Sequence, residues 1–450
     1  MKRKVMAMVL ALTMTTGVLA GCGGYGSSKG SDTTDTSTTT ETQGSDNSTT
    51  AKTQESTATG DPILIGALYP LTGDLADSGK NMQYGIDFAV EEINANGGID
   101  GRPIKIIYGD TQGDGAPGMT EMERLITQEK VVAVMGAYQS GVTEVVSQVA
   151  ENYQIPMITA NATADSLTSH GYEYFFRLAP TNMMFIRDMF QCLVDYAGKH
   201  SNATIKTVAV CADNTELGQQ TATWAKFWAE KNGMEYLGDV LYSKGAADLT
   251  SEVLQLKQLN PDALIVDNYV SDAILLTKTM NEQGYKPQIM IAKGNGYSET
   301  SYLESTGAQA NGILFATEYL QGEKSQDIYD RFMQKYNVAL NGHSAEAYTV
   351  VWIFKQALQN LANAGKEINS ENLKTELQTI KIENSFEGGS EIILPYNTIQ
   401  FTDGEFNGIQ YKQTNMLGNL VVAQFQDEEI KSVWPFDEAE VEIQYPASFQ

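Results

Sequence analysis

Two hydroxyl residues placed just after apolar runs are the first candidates for chemistry in this 450-residue chain. Ser140 lies in Gly136-Ala137-Tyr138-Gln139-Ser140-Gly141, after the run Val131 to Met135. Thr163 lies in Thr159-Ala160-Asn161-Ala162-Thr163, after Pro156-Met157-Ile158. Both loops expose backbone N–H groups near helix N-termini, where the dipole favours an anion such as a carboxylate. Ser and Thr also cap helices with no ligand present, and spacing alone leaves the two roles open. A third loop, Leu71-Thr72-Gly73-Asp74-Leu75-Ala76, follows the first apolar run in the same way.

Covalent chemistry has no comparable support. After Asp61 there is no G-x-S-x-G elbow, no G-x-x-x-x-G-K phosphate loop and no H-E-x-x-H, so no enzyme is expected. Asp110, Gln112, Asp114, Gly115 and Glu121 fall at the spacing of a calcium-binding loop. Gln112 replaces the usual Asp or Asn, Pro117 interrupts the loop, and a strand precedes it, so it reads as a strand-to-helix connection. His170, His200 and His343 are scattered without cysteines at metal-ligand spacing, and each reads as a surface or loop residue. Cys192 and Cys211 read as small buried hydrophobes. No metal or cofactor is expected.

The elements that must carry those loops alternate regularly. Ile63 to Leu68 is a short apolar run closed by Pro70, as a buried parallel strand should be. Met82, Ile86, Ala89, Val90 and Ile93 then share one helical face, which stops at Asn96-Gly97-Gly98. Strand and helix patterns repeat through Ile158. After Pro180 a second series begins, with strands at Thr207 to Cys211, Tyr236 to Leu241, Ala263 to Val266 and Gln288 to Ala292. Two such series imply an α/β fold of two doubly wound, mostly parallel-sheet lobes. Ligands bind such sheets at the carboxyl ends of their strands, so two facing lobes place a cleft between two sets of strand ends.

The N-terminus carries a different signal. Lys2, Arg3 and Lys4 precede an apolar stretch too short to span a bilayer, which is the secretory pattern. Leu19-Ala20-Gly21-Cys22 resembles the bacterial lipoprotein cleavage site. That resemblance implies that residues 1–21 are a signal peptide and that Cys22 is lipidated, holding the protein on the extracytoplasmic face of the membrane. From Gly23 to about Gly60 the chain is Ser, Thr, Gly, Asp and Gln, with too little apolar surface to fold, so residues 22–60 read as a tether. The net charge is −26, and residues 1–21 carry three cationic side chains and no acids, so removing them leaves −29. Nucleic acid, which is bound through basic patches, is excluded as a partner.

The runs Ile65-Gly66-Ala67-Leu68-Tyr69-Pro70-Leu71-Thr72-Gly73, Ala95-Asn96-Gly97-Gly98-Ile99-Asp100-Gly101-Arg102 and Ile155-Pro156-Met157-Ile158 carry a family resemblance. Ala347-Tyr348 and the helix through Leu361 are later landmarks. The chain resembles the branched-chain amino acid binding proteins of ABC transporters, which have the type I periplasmic-binding fold. The resemblance implies that Ser140 and Thr163 hold a ligand α-carboxylate, with the backbone around Asn161 and Ala162 at the amino end. It implies that Tyr269 contributes from the second lobe.

Three positions depart from the family pattern. Lys293 (Gly294 with a one-residue shift) stands where the family places a glutamate that pairs with the ligand ammonium. Ser78 replaces an aromatic residue, and Leu217 replaces a second-lobe tyrosine. Asp267 is then the expected source of negative charge for an ammonium; otherwise Lys293 pairs with an acidic group of a ligand that lacks an amine.

The expected organisation is one lobe from residues 61–180 with about 297–385, and a second from 181–296 with about 386–450, joined by a hinge. The expected function is capture of an amino acid or related small carboxylate for delivery to an ABC permease. A ligand sensor for a membrane receptor and a binder of aromatic acids are the alternatives.

Overall fold

The computed structural model describes residues 58–200 and 203–446. The signal-like segment, Cys22 and nearly all of the Ser/Thr-rich stretch lie outside the described residues.

Short apolar runs become strands here because both of their faces are covered, so that alternating polarity is unnecessary. The first series is β1 (Ile63–Tyr69), α1 (Ala76–Ala95), β2 (Ile104–Asp110), α2 (Gly115–Thr127), β3 (Ala133–Gly136), α3 (Ser140–Tyr153), β4 (Met157–Thr159) and β5 (Phe175–Arg177). The second opens with α4 (Asn182–Lys199), β6 (Thr207–Asp213), α5 (Glu216–Lys231), β7 (Glu235–Tyr242) and α6 (Thr250–Leu259). It continues through β8 (Ala263–Asp267), α7 (Val270–Glu282), β9 (Ile289–Lys293), α8 (Gly294–Tyr297), α9 (Thr300–Thr306) and β10 (Leu314–Thr317). Then come α10 (Gln326–Tyr336), α11 (Gly342–Asn363), α12 (Ser370–Thr379), β11 (Lys381–Glu383) and β12 (Thr398–Gln400). Two antiparallel hairpins finish the chain: β13 (Thr402–Phe406) with β14 (Ile409–Thr414), and β15 (Val421–Gln426) with β16 (Glu429–Trp434).

The sheets have matching orders, β13-β14-β5-β4-β3-β1-β2 and β16-β15-β10-β9-β8-β6-β7. In each, a five-stranded parallel sheet is extended at one edge by a hairpin. β1 is central in the first: Ile65 pairs with Ile106 on one side and Ala133 on the other.

The crossings between the lobes differ from the expected boundaries. Strand β10 belongs to the second sheet although 297–385 was assigned to the first lobe. Hairpin β13–β14 extends the first sheet although 386–450 was assigned to the second. The chain therefore crosses between the two large sheets after β5, after β10 and after β14, and β11 pairs with β12 in a small sheet of their own. Edge pairing decides this, and edge pairing leaves no periodic trace in a short strand.

Helix α11 is buried along most of its length because it lies between α1 and α12 while covering the first sheet. Its apolar residues, among them Val350, Ile353, Phe354, Ala357 and Leu358, join the first-lobe core with Met82, Ile86 and Ile93 of α1. Asn341 caps it, accepting from the Ser344 backbone while Ser344 Oγ accepts from the Asn341 backbone. Cys192 and Cys211 are free and buried in separate second-lobe clusters. Among the described residues no helix is long and apolar enough to cross a membrane.

Candidate functional site

The strand ends of the two sheets meet, and the loops singled out above line the junction. Gly136 ends β3 with φ +130°, and a Cβ there would lie 2.3 Å from the Leu68 carbonyl oxygen, so only glycine lets the Ser140 loop leave the sheet here. Ser140 is the first residue of α3, and its Oγ accepts from the Ala164 N–H at 3.2 Å. Its own O–H is left free to donate. Thr163, four residues past β4, is 3 % exposed, and its Oγ1 accepts from Lys293 Nζ at 2.6 Å. Lys293 is the last residue of β9 and wholly buried. This bond joins one lobe to the other.

An isolated buried ammonium costs several kcal/mol unless it is compensated. Asp267, the last residue of β8, places Oδ2 3.7 Å from Lys293 Nζ, and the ammonium also lies 5.1 Å from the centre of the Phe185 ring. Burial pulls the Lys293 pKa below its ordinary value, and the charges of Asp267 and Glu318 oppose that shift. Asp267 is itself engaged: Thr221 Oγ1 donates to it at 2.7 Å, and Asn295 donates to its other oxygen. The anion expected to meet a ligand ammonium is thus already committed to groups of the protein.

The remaining candidates surround this bridge. Tyr269 precedes α7, and its ring meets Tyr138 edge-on at 5.9 Å while Lys244 Nζ sits 4.4 Å from its centre. Tyr269 and Lys244, with Leu75, Gln112, Gln139 and Asp272, line a cavity of about 130 Å³. Ser78 is buried beside Tyr138 and Glu299, and its Oγ makes no well-formed hydrogen bond. Leu217, from the second lobe, packs among Val142, Ala162, Ala164 and Leu167 of the first. The Ala162 N–H donates to Thr159 Oγ1 at 3.2 Å. Asn161 Nδ2 donates to Glu346 Oε2 at 2.9 Å and to the His343 carbonyl at 3.2 Å.

Hydroxyls and an ammonium gathered at the strand ends of two matching sheets have the chemistry to hold a small anion. Residues 62–402 match the periplasmic binding protein family. The chain belongs to that family. It is similar to Leu/Ile/Val-binding protein homolog 7 of Brucella suis biovar 1, 27 % identical over 400 residues that cover 85 % of this chain and 94 % of that protein. It is similar in structure to the branched-chain amino acid transporter substrate binding protein LivJ of Streptococcus pneumoniae in complex with isoleucine. That likeness has 23 % identity and a TM-score of 0.66, over 82 % of this chain and 98 % of the other. A solute binding protein of an ABC transporter from R. palustris, in complex with benzoate, matches at 16 % identity and a TM-score of 0.67, over 83 % and 95 % of the two chains. The fold is the type I periplasmic-binding fold.

In this periplasmic binding protein several buried charges escaped the sequence reading. His343 is a correction: expected at the surface or in a loop, it is 1 % exposed, because it lies at the start of α11 facing the second lobe. Its Nδ1 lies 2.9 Å from Glu299 Oε1. Glu299 Oε2 accepts from Asn81 at 2.9 Å and Asn341 at 3.1 Å. Burial would raise the Glu299 pKa, but the hydrogen bond and charge of His343 hold it below the ordinary carboxylate value. Burial would likewise lower that of His343, and Glu299 lifts it instead. Glu318, after β10, and Glu346, on α11, are buried nearby. No local motif marks any of them.

The calcium-like spacing is spent on structure. Asp110 accepts from the Leu71 and Gln112 N–H groups at 2.9 Å and from Thr72 Oγ1 at 2.6 Å, pinning the loop after β1. Asp114 caps α2, and Glu121 pairs with Arg124 at 2.8 Å.

Proposed function

We propose that this chain is the extracytoplasmic solute-binding component of an ABC uptake system, anchored through a lipidated Cys22. Its two lobes close around an amino acid or related small carboxylate, which is then passed to a membrane permease. The observation that carries this reading is the Lys293–Thr163 bond across the cleft at 2.6 Å. An ammonium has three donors and here uses one on Thr163, while the Thr163 and Ser140 hydroxyls still have protons to donate. A carboxylate entering between the lobes would meet two hydroxyls and a cation, all giving charge-assisted bonds. The names of the Brucella and Streptococcus relatives support an amino acid. Lys293, standing where the family pattern has a glutamate, supports the second reading, a carboxylate without an amine, for which the benzoate complex is a parallel.

A thermal-shift screen over amino acids, aromatic acids and short dicarboxylates, followed by calorimetry, tests the proposal. Binding only N and not the unfolded chain must raise Tm with ligand concentration. Stabilisation by one class of carboxylate is the expected result, and no response to any carboxylate at millimolar concentration would overturn it. Incorporation of labelled palmitate that persists in C22A would overturn the anchor.

A further inference from the structure

Next to the carboxylate donors lies a group of buried acceptors and hydroxyls with no cation among them. Glu346 is wholly buried on α11, and only its Oε2 is engaged, by Asn161 Nδ2 at 2.9 Å; Oε1 has no partner. Asn161 is 5 % exposed and its Oδ1 is also unpartnered. The hydroxyl of Tyr69 is unpartnered and that of Tyr396 makes no well-formed hydrogen bond, with Asn415 its polar neighbour; both are more than nine-tenths buried and feel the charge of Glu346.

Glu318 closes the other side. A Cβ on Gly342 would lie 2.6 Å from its Oε2, and one on Gly294 would lie 3.6 Å away. Its carboxylate therefore lies between the start of α11 and the turn after Lys293. The charge acting on Glu346 is the like charge of Glu318. Lys293 and His343 both interact with Glu318.

Lys293 and His343 act on Glu318, but Glu346 Oε1 and the unpartnered atoms around it have no cation hydrogen-bonded to them. A primary ammonium supplies three donors. Asn161 and Thr163 are two residues apart on one loop, at most about 7 Å between Cα atoms, so one small molecule can reach both. We propose that Glu346 and Glu318, with Asn161, Tyr69 and Tyr396, form an anionic subsite that takes a primary ammonium of the solute. The ligand then carries a cationic nitrogen as well as a carboxylate, and α11 of the first lobe supplies the charge that Lys293 does not. This rests on reading the cleft as a carboxylate trap. Burial, and then Glu318, push the Glu346 carboxyl well above the ordinary range, with Asn161 opposing, which favours its neutral form while no cation is near.

The test is calorimetry on the full chain with matched probes, L-leucine against 4-methylpentanoate and 5-aminopentanoate against pentanoate. Two buffers of different ionisation enthalpy report proton release. In the wild type, one aminated probe should bind roughly tenfold or more tightly than its partner and release a proton. Glu346→Gln keeps an acceptor for Asn161 and should abolish both the preference and the proton release. The affinity for the probe without an amine should stay unchanged. Glu318→Gln should weaken the same preference and serves if Glu346→Gln fails to fold. Equal binding of both members of each pair, or a preference that survives both substitutions, would overturn the subsite and leave the carboxylate reading standing. Binding of neither member by the wild type would overturn both.

Discussion

Lys293 and Glu299 are both buried charges that the second lobe presents to the first, yet their surroundings differ. Glu299 is saturated: His343, Asn81 and Asn341, all from the first lobe, occupy both of its oxygens. Lys293 has one hydroxyl at 2.6 Å and a carboxylate at 3.7 Å that is already bonded elsewhere. A charge whose bonds are all made by the protein fastens two surfaces together. A charge with donors to spare, beside hydroxyls with protons to spare, is prepared for something from outside. The first is a clasp and the second is the proposed site, and the difference lies in which hydrogen bonds are already made, not in burial.

Removing one member of the clasp should have the largest effect. Glu299→Ala leaves His343 and two amides buried without their acceptor, and should cost about 3–5 kcal/mol of stability in urea unfolding. A loss below about 1 kcal/mol, the range of exposed pairs, would mean that the clasp holds nothing.

Lys293→Met should act differently. Asp267 keeps Thr221 and Asn295, so stability should change far less. Carboxylate affinity should fall by about 2–3 kcal/mol, the worth of a bond to a charged group. A variant that loses stability but binds as before would reverse the two assignments. Ser140→Ala removes a neutral donor and should weaken binding by about 1–2 kcal/mol in calorimetry. Wild-type affinity would remove Ser140 from the site.

The smallest effect is on pH. His343, raised from 6.5, stabilises the folded protein fully below that value and loses its contribution as pH climbs through its raised pKa. Glu299, lowered from 4.5, contributes fully above that value and loses its contribution as pH falls through its lowered pKa. The stability gap between wild type and Glu299→Ala should therefore be widest between 4.5 and 6.5 and shrink on the alkaline side. A gap that does not change with pH would show His343 to be neutral throughout.

Much of the frame was legible from residue order. Strand and helix alternation, Ser140 at the start of α3 and Thr163 beyond β4 follow from patterns a few residues long. Lys293 was visible as a departure from the family pattern, though its partner was not. His343 was misread because a lone histidine carries no local sign of the lobe that will cover it. Glu346 was missed for the same reason: it meets Asn161 across 185 positions of chain.

By itself the sequence determined the two βαβ series, the loops at their strand ends and the acidic character of the chain, because periodicity, turn residues and composition act over short range. Tertiary structure alone decided that β10 joins the second sheet and β13–β14 the first, because either edge would accept a short strand. It also decided which charges are clasped and which are left open. Whether a buried charge is satisfied depends on groups brought within about 3 Å by the fold, wherever they stand in the chain.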